Sequence, residues 1–262
     1  MTTVDFITEL FCRVDDEMRD VKKHSQASLY PSEVVTLALL FALKGVGNRA
    51  FYRWLLRDYR ALFPHLPTRT RLFRLFNSHR PLTARFMAAP SLLGVVDTYG
   101  IELIHPRREG RSEQQIGKKG VSNKRWIVGG KLCFVLNHLG LVVDWDMNTA
   151  NVYDGTAFQE IVTRNAESMV LFADEGFVVK TWHPDNLKIC QRGEWNSRMI
   201  VETVLSMLTL ISHFKKVMHR RWAYFESRLA YTMAMFNVLI QWDEFDVEQD
   251  GAIHFHLAPF SL

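Results

Sequence analysis

A chain of 262 residues, 48% of them apolar, is long enough for one large domain or two smaller ones and can bury a real core. Lys and Arg outnumber Asp and Glu by 32 to 28 and the sequence pI is about 9.0, which permits a nucleic-acid partner without requiring one. The three cysteines, Cys12, Cys133 and Cys190, stand far apart with no C-x-x-C pair, which excludes a disulfide framework or a zinc site and reads as free thiols in a reducing compartment.

The N-terminal stretch "MTTVDFITELFCRVDDEMRD" is too acidic and broken for a signal peptide. "SEVVTLALLFALKG" follows Pro31 and stops at Gly45, as helix start and stop signals require. The longest apolar run, Val34 to Leu43, is half of the roughly 20 residues a membrane helix needs, so the expectation is a soluble, cytoplasmic protein. "NRAFYRWLLRDYRALF" places Phe51, Trp54, Leu55 and Tyr59 about a turn apart, and Pro64 and Pro67 break it. "TRTRLFRLFNSH" begins on Thr68, a good N-cap, with Arg71 and Arg74 on one face and Leu72, Leu75 and Phe76 on another. Residues 1–90 therefore read as helical.

Strands follow. "LLGVVDTYG" is a short β-rich run ending at Gly100. Residues 105–126 are glycine-punctuated and basic, and read as a loop. "RWIVGGKLCFVLNHLGLVVDWDMN" reads as two strands joined by a tight turn at Asn137–Gly140. "AFQEIVTRN" suits a helix, "SMVLFADEGF" a buried strand ending at an acidic pair, and "LKIC" a further strand. Two long helices close the chain, at about 197–214 and 221–242. This order predicts a mixed α/β sheet with helices on its faces.

Ligands gather at the carboxyl ends of strands in open α/β sheets. Asp97 and Asp174 each follow a hydrophobic run there. Glu202 lies on a helix, on a polar stripe that runs Arg198, Glu202, Ser206, Thr209, His213, Lys216 opposite an apolar one. Three converging carboxylates repel one another, and a divalent ion such as magnesium resolves the repulsion. Two such ions about 4 Å apart serve phosphodiester chemistry. Asp154 in "NVYDG" competes with Asp174 as the second acid, but its place before a helix predicts an N-cap. Asp144 and Asp146 flank Trp145 on a strand and are expected to face solvent, and Glu175 is read as a neighbour of Asp174, not a ligand.

In their order, "VVDTYGIEL", "VLFADEGF" and "RGEWNSRMIVETVLSML" resemble the DDE transposases of bacterial insertion sequences, whose catalytic domain is RNase H-like. "GGKLCFVLNHLGLVVDWDMNTANVYDG" and "HRRWAYFESRLAYTMAMFNVLIQW" extend the resemblance over roughly residues 91–242. It implies a helical DNA-binding or dimerisation region over 1–90 and a catalytic domain over 91–262. It also implies Asp97, Asp174 and Glu202 as the three acids, holding two magnesium ions, with manganese as a substitute. Double-stranded DNA, both transposon ends and target, is the implied partner, and a homodimer on paired ends the implied assembly. Related transposases carry Y-x2-R-x3-E-x6-K around the third acid. Here Arg198 and Glu202 keep the R-x3-E part, while Trp195 replaces the tyrosine and Thr209 the lysine. The resemblance gives Arg198 the role of positioning phosphate or orienting Glu202.

The basic segments fit that partner. Arg107, Arg108, Arg111, Lys118, Lys119, Lys124 and Arg125 follow the Asp97 strand and read as an arm tracking DNA phosphates. Arg71 and Arg74 read as belonging to a recognition helix in a helix-turn-helix-like unit. Trp195 reads as a base contact, and Lys215 and Lys216 as phosphate contacts. The histidines show no zinc spacing, and phosphate-loop and serine-elbow motifs are absent. The alternatives are a metal-dependent nuclease of the same fold, or a non-catalytic DNA-binding derivative.

Overall fold

The computed structural model describes residues 2–122, 124–190, 198–212, 217, 219–242, 246–247 and 253–254. Helix α1 (Thr3–Glu17) opens on a capping box: the Thr2 hydroxyl accepts the Asp5 amide and the Asp5 carboxylate accepts the Thr2 amide. Helix α2 (Pro31–Lys44) has proline at its first position and ends at Gly45 with φ 65°, as its sequence predicts. It is apolar almost all round and correspondingly buried. Helix α1 packs on α2, and α4 (Arg69–His79) packs on both α2 and α3 (Asn48–Asp58). A 3-10 stretch, Arg80–Phe86, leads to the sheet.

The sheet joins β1 (Leu93–Ile104), β2 (Lys118–Ser122), β3 (Arg125–Asn137), β4 (Val142–Thr149), β5 (Val170–Ala173) and β6 (Leu187–Ile189). Its order is β2-β3-β1-β5-β6, with β4 also paired to β3. The β1–β3, β2–β3 and β3–β4 ladders are antiparallel; β1–β5 and β5–β6 are parallel. Gly140, at φ 75°, closes the expected Asn137–Gly140 turn, its amide donating to the Asn137 carbonyl. Helices α5 (Asp154–Ala157) and α6 (Gln159–Arg164) cross from β4 to β5 and bury Phe158, Ile161 and Val162 against Val96, Cys133, Val135 and Leu171. The opposite face carries Phe134, Leu132 and Leu136 beneath α7 (Arg198–Ser212) and α8 (Trp222–Trp242). Two short strands, β7 (Asp246–Val247) and β8 (Ile253–His254), form a separate pair.

Two elements differ from expectation. Strand β1 continues past Gly100 to Ile104. The basic stretch is not loop throughout: Lys118–Ser122 pairs with the start of β3 around a tight turn where Lys124 takes φ 60°. Lysine and glycine weaken the strand signal of "KKGVS", and the backbone pairing comes from β3. Gly120 is required there, because a Cβ would collide with the Ala150 carbonyl.

Helix α8 joins the two layers. Tyr231, Ala234, Met235, Val238 and Leu239 enter the core of α1–α4, while Phe225, Leu229, Met233, Phe236 and Ile240 enter the core beneath the sheet. Asn237 is fully buried; its Oδ1 accepts the Val142 amide and its Nδ2 donates to the Phe86 and Val142 carbonyls. Among the described residues no single helix is long and apolar enough to cross a membrane.

Candidate acidic site at the ends of β1 and β5

Strand register decides what Asp97 can meet. The parallel ladder pairs Leu93 with Val170, Gly94 with Leu171 and Val95 with Phe172. Asp97 follows the last paired residue of β1 by two positions, and Asp174 follows the last paired residue of β5 by two. The ladder ends before these residues, so both acids lie just beyond its last rung, and each is half-buried. Asp97 is thus not at the end of its own strand, as expected, but at the end of its pairing with β5. The chain leaves β1 towards β3 on one side and returns to β5 on the other, and ligands settle at such a switch point.

Asp97 pairs across the sheet with Phe134, and paired residues share a face, so Asp97 belongs to the face covered by α7 and α8. Its Oδ1 accepts the Thr98 amide at 2.7 Å. Asp174 caps the 3-10 turn Glu175–Phe177, its Oδ1 accepting the Gly176 amide at 2.8 Å. Glu175 is exposed. Helix α7 packs on β1, burying Val201, Val204, Met207 and Leu208, and leaves Glu202 and Ser206 exposed as the polar stripe predicts. Thr209, on the same stripe, turns its hydroxyl back to the Leu205 carbonyl. The first turn of α7 begins at Arg198; Trp195, Lys215 and Lys216 lie outside the described residues, as does the Arg198 side chain. Among the described residues, no three His, Cys, Asp or Glu side chains are gathered closely enough to hold a metal ion.

Beneath the acid pair lies an ion pair that the sequence did not reveal. Lys131 Nζ donates to Asp154 Oδ1 at 2.5 Å and to the Val152 carbonyl at 2.9 Å, and the Thr98 hydroxyl donates to Asp154 Oδ2 at 2.8 Å. Tyr153, not Asp154, is the N-cap of α5, so the expected capping role is corrected: the Asp154 carboxylate serves Lys131 and Thr98. Both Asp154 oxygens are engaged. A Cβ on Gly176 would meet Asp174 Oδ1 at 2.8 Å and Asp154 Oδ2 at 3.5 Å, so the two carboxylates flank this glycine. Complete burial pushes the Cys133 thiol well above its ordinary value, and the charges of Asp97, Asp154, Asp146 and Asp144 push the same way. Asp144 does not simply face solvent: it accepts from Arg164 and Asn165, and Arg164 reaches Asp146 at 3.9 Å.

The basic residues separate into two places. Arg107, Arg108, Arg111, Lys118, Lys119, Lys124 and Arg125 are all exposed on the loop and hairpin that follow β1. The Lys119 ammonium stands 3.5 Å from the Glu109 carboxylate. Arg71 and Arg74 are exposed on α4 in the helical layer. The α3–α4 link spans residues 59–68, well beyond the turn of about 3–4 residues in a helix-turn-helix, so that unit is not formed. Helix α3 adds a row that sequence reading passed over: Arg49, Arg53 and Arg57, four apart and exposed. The i, i+4 spacing was its visible signal.

These elements define a mixed α/β protein with Asp97 and Asp174 just past the β1–β5 ladder of its sheet and exposed cations on the β2–β3 segment and on the helical layer. No family model, curated protein or solved structure matches the chain.

Proposed function

We propose that the protein is a DDE-type DNA transposase with an RNase H-like core, which cleaves strands at element ends and transfers them into target DNA. The observation that carries this reading is the parallel β1–β5 ladder, whose last pair, Val95 and Phe172, is followed two residues later on each strand by Asp97 and Asp174, positions remote in sequence. The antiparallel β4-β3-β1 strands followed by parallel β5 and β6 support the fold assignment.

Two adjacent carboxylates are hard oxygen donors, and magnesium is commonly held by one or two carboxylates with water and substrate phosphate completing its shell. The donor set therefore fits, with Asp97 and Asp174 as its base. Glu202 enters by its place on α7, the helix that packs on the strand of Asp97, and is tested separately. When bound, the metal would lower the pKa of an attacking hydroxyl and stabilise the leaving oxygen. The chain's own part is to hold the acids in register through the sheet. Lys131 confines the charge of Asp154, and the exposed cations of residues 107–125 would neutralise the backbone phosphates of bound DNA.

The test is cleavage of end-containing DNA by purified protein with magnesium, followed by a search for strand-transfer products on a gel. Asp97→Asn, Asp174→Asn and Glu202→Gln are each expected to abolish cleavage. Cleavage that survives all three substitutions sinks the assignment, and cleavage without joining makes the protein a nuclease.

A further inference from the structure

The tip of the β2–β3 hairpin exposes apolar surface where a charged strand would be soluble without it. Trp126 keeps 61% of its surface in water and Val121 keeps 50%. The two are directly paired across the hairpin, so they form one apolar step, not two scattered residues. The Lys119 ammonium lies 5.3 Å from the Trp126 ring centroid, and Lys118, Lys124 and Arg125 are exposed on the same hairpin. No acidic residue occurs between Glu113 and Asp144. An aromatic ring with an aliphatic neighbour among exposed cations, one of them Lys119 within 3.5 Å of the Glu109 carboxylate, is complementary to an unpaired base and its flanking phosphates.

The hairpin is also in the right place. Ser122 Oγ accepts the Gly100 amide at 3.1 Å, and a Cβ on Gly100 would collide with Ser122 and Ile127. The absent side chain at Gly100 therefore lets the hairpin close down on β1. Gly100 follows Asp97 by three residues on that strand, about 10 Å along it.

We propose that the β2–β3 tip is a stacking wedge for unpaired DNA bases, carried on a hairpin that closes on the strand of Asp97. Trp126 takes a base on its ring, Val121 supports it, and Lys119, Lys124 and Arg125 hold the phosphates. This rests on the DNA-processing reading above and adds to it a single-stranded subsite. Such a subsite favours a strand end that is already frayed or cut, because a paired base must first leave its stack.

The test compares two probes with the full chain at fixed salt: a blunt duplex and the same duplex carrying a short unpaired thymidine tail. Binding is read by fluorescence anisotropy. The wild type is expected to prefer the tailed probe. Trp126→Ala should weaken tailed-probe binding about 5- to 150-fold, the range of one base–aromatic stack, and change blunt-duplex binding less than about twofold. Trp126→Phe should keep most of the preference. An equal loss on both probes, or no loss on the tailed one, overturns the wedge while leaving the DNA reading in place. A wild type that binds neither probe overturns both. Trp126 is exposed, so the variants should melt with the wild type, and a shared melting temperature excludes misfolding as the cause.

Discussion

Helix α8 and the end of the β1–β5 ladder both place polar groups within a largely apolar fold, and they treat them oppositely. On α8 the buried Arg228, Tyr231, Thr232 and Asn237 side chains bond to main chain. Asn237 takes Val142 and Phe86, Tyr231 donates to the Phe76 carbonyl, and Arg228 donates to the Ala42 carbonyl while stacking 4.3 Å over Phe41. Those bonds tie the helical layer to the sheet. At the ladder end Asp97 and Asp174 are half-buried, and each accepts a main-chain amide close by in sequence, from Thr98 and Gly176. Satisfied polar groups in a core fix geometry; half-exposed like charges held side by side are costly unless a ligand offsets them. The difference sets α8 apart as architecture from the ladder end, where the proposed site lies.

The largest expected effect tests that division directly. Asp97→Asn or Asp174→Asn should lower magnesium-dependent cleavage by at least about 10³-fold. The melting temperature should hold or rise, since one of two like charges is removed. A variant that unfolds instead would make the pair structural and erase the contrast with α8.

The Lys131–Asp154 pair lies between the two regions in character, buried as on α8 yet adjacent to the acids. Lys131→Met strands the Asp154 carboxylate and should cost about 3 kcal/mol of stability, near 6–10 °C in melting temperature for a chain of this size. Adding Asp154→Leu should restore part of that loss, because a buried pair replaced by apolar groups is often neutral. No change in melting for Lys131→Met would mean that the pair contributes nothing to the fold.

How much of this the sequence revealed depended on range. The Glu202 stripe, the Gly45 stop and the Asn137–Gly140 turn rest on neighbours within a few positions, and local spacing shows them. The choice of Asp97 and Asp174 came from hydrophobic runs, but their shared place two residues past the ladder comes from the parallel register. The Lys131–Asp154 pair depends on how β3 and α5 meet, and no local pattern encodes it. Helix α8 is apolar on every side, so periodicity could not say that it serves two cores. The bond from Asn237 to Phe86 crosses 151 positions and was equally out of reach. Strand β2 was hidden because its lysines and glycines read as loop, and the exposed Trp126 was counted only as the edge of a strand.

On the α8 side, Asn237→Ala removes three bonds at once and leaves the Val142 amide and the Phe86 carbonyl without that partner inside the core. The expected loss is about 2–3 kcal/mol, read in chemical denaturation as a lower midpoint with an unchanged slope. Catalysis per folded molecule should be unaffected. A fall in specific activity with normal stability would show that α8 belongs to the site after all.

The smallest effect concerns His219, which precedes α8 and sits against Phe225 with ring centroids 6.2 Å apart. Burial, with a smaller contribution from the Arg228 charge, lowers its pKa to about 4 from 6.5. Between those values the unfolded chain takes up a proton that the folded chain refuses. Neutral His219 therefore keeps its full contribution above pH 6.5, and stability is lost as pH falls towards 4. A shift of that size is worth up to about 3 kcal/mol, and water reaching the half-buried ring reduces the expectation to about 1–2 kcal/mol. His219→Phe should flatten the acid limb of a stability–pH profile by that amount between pH 6.5 and 4, while the limb below pH 4, where carboxylates titrate, stays in place. An unchanged limb would mean that His219 takes up its proton in the folded chain as readily as in the unfolded one, and that the end of α8 nearest the sheet core admits water more freely than its buried middle.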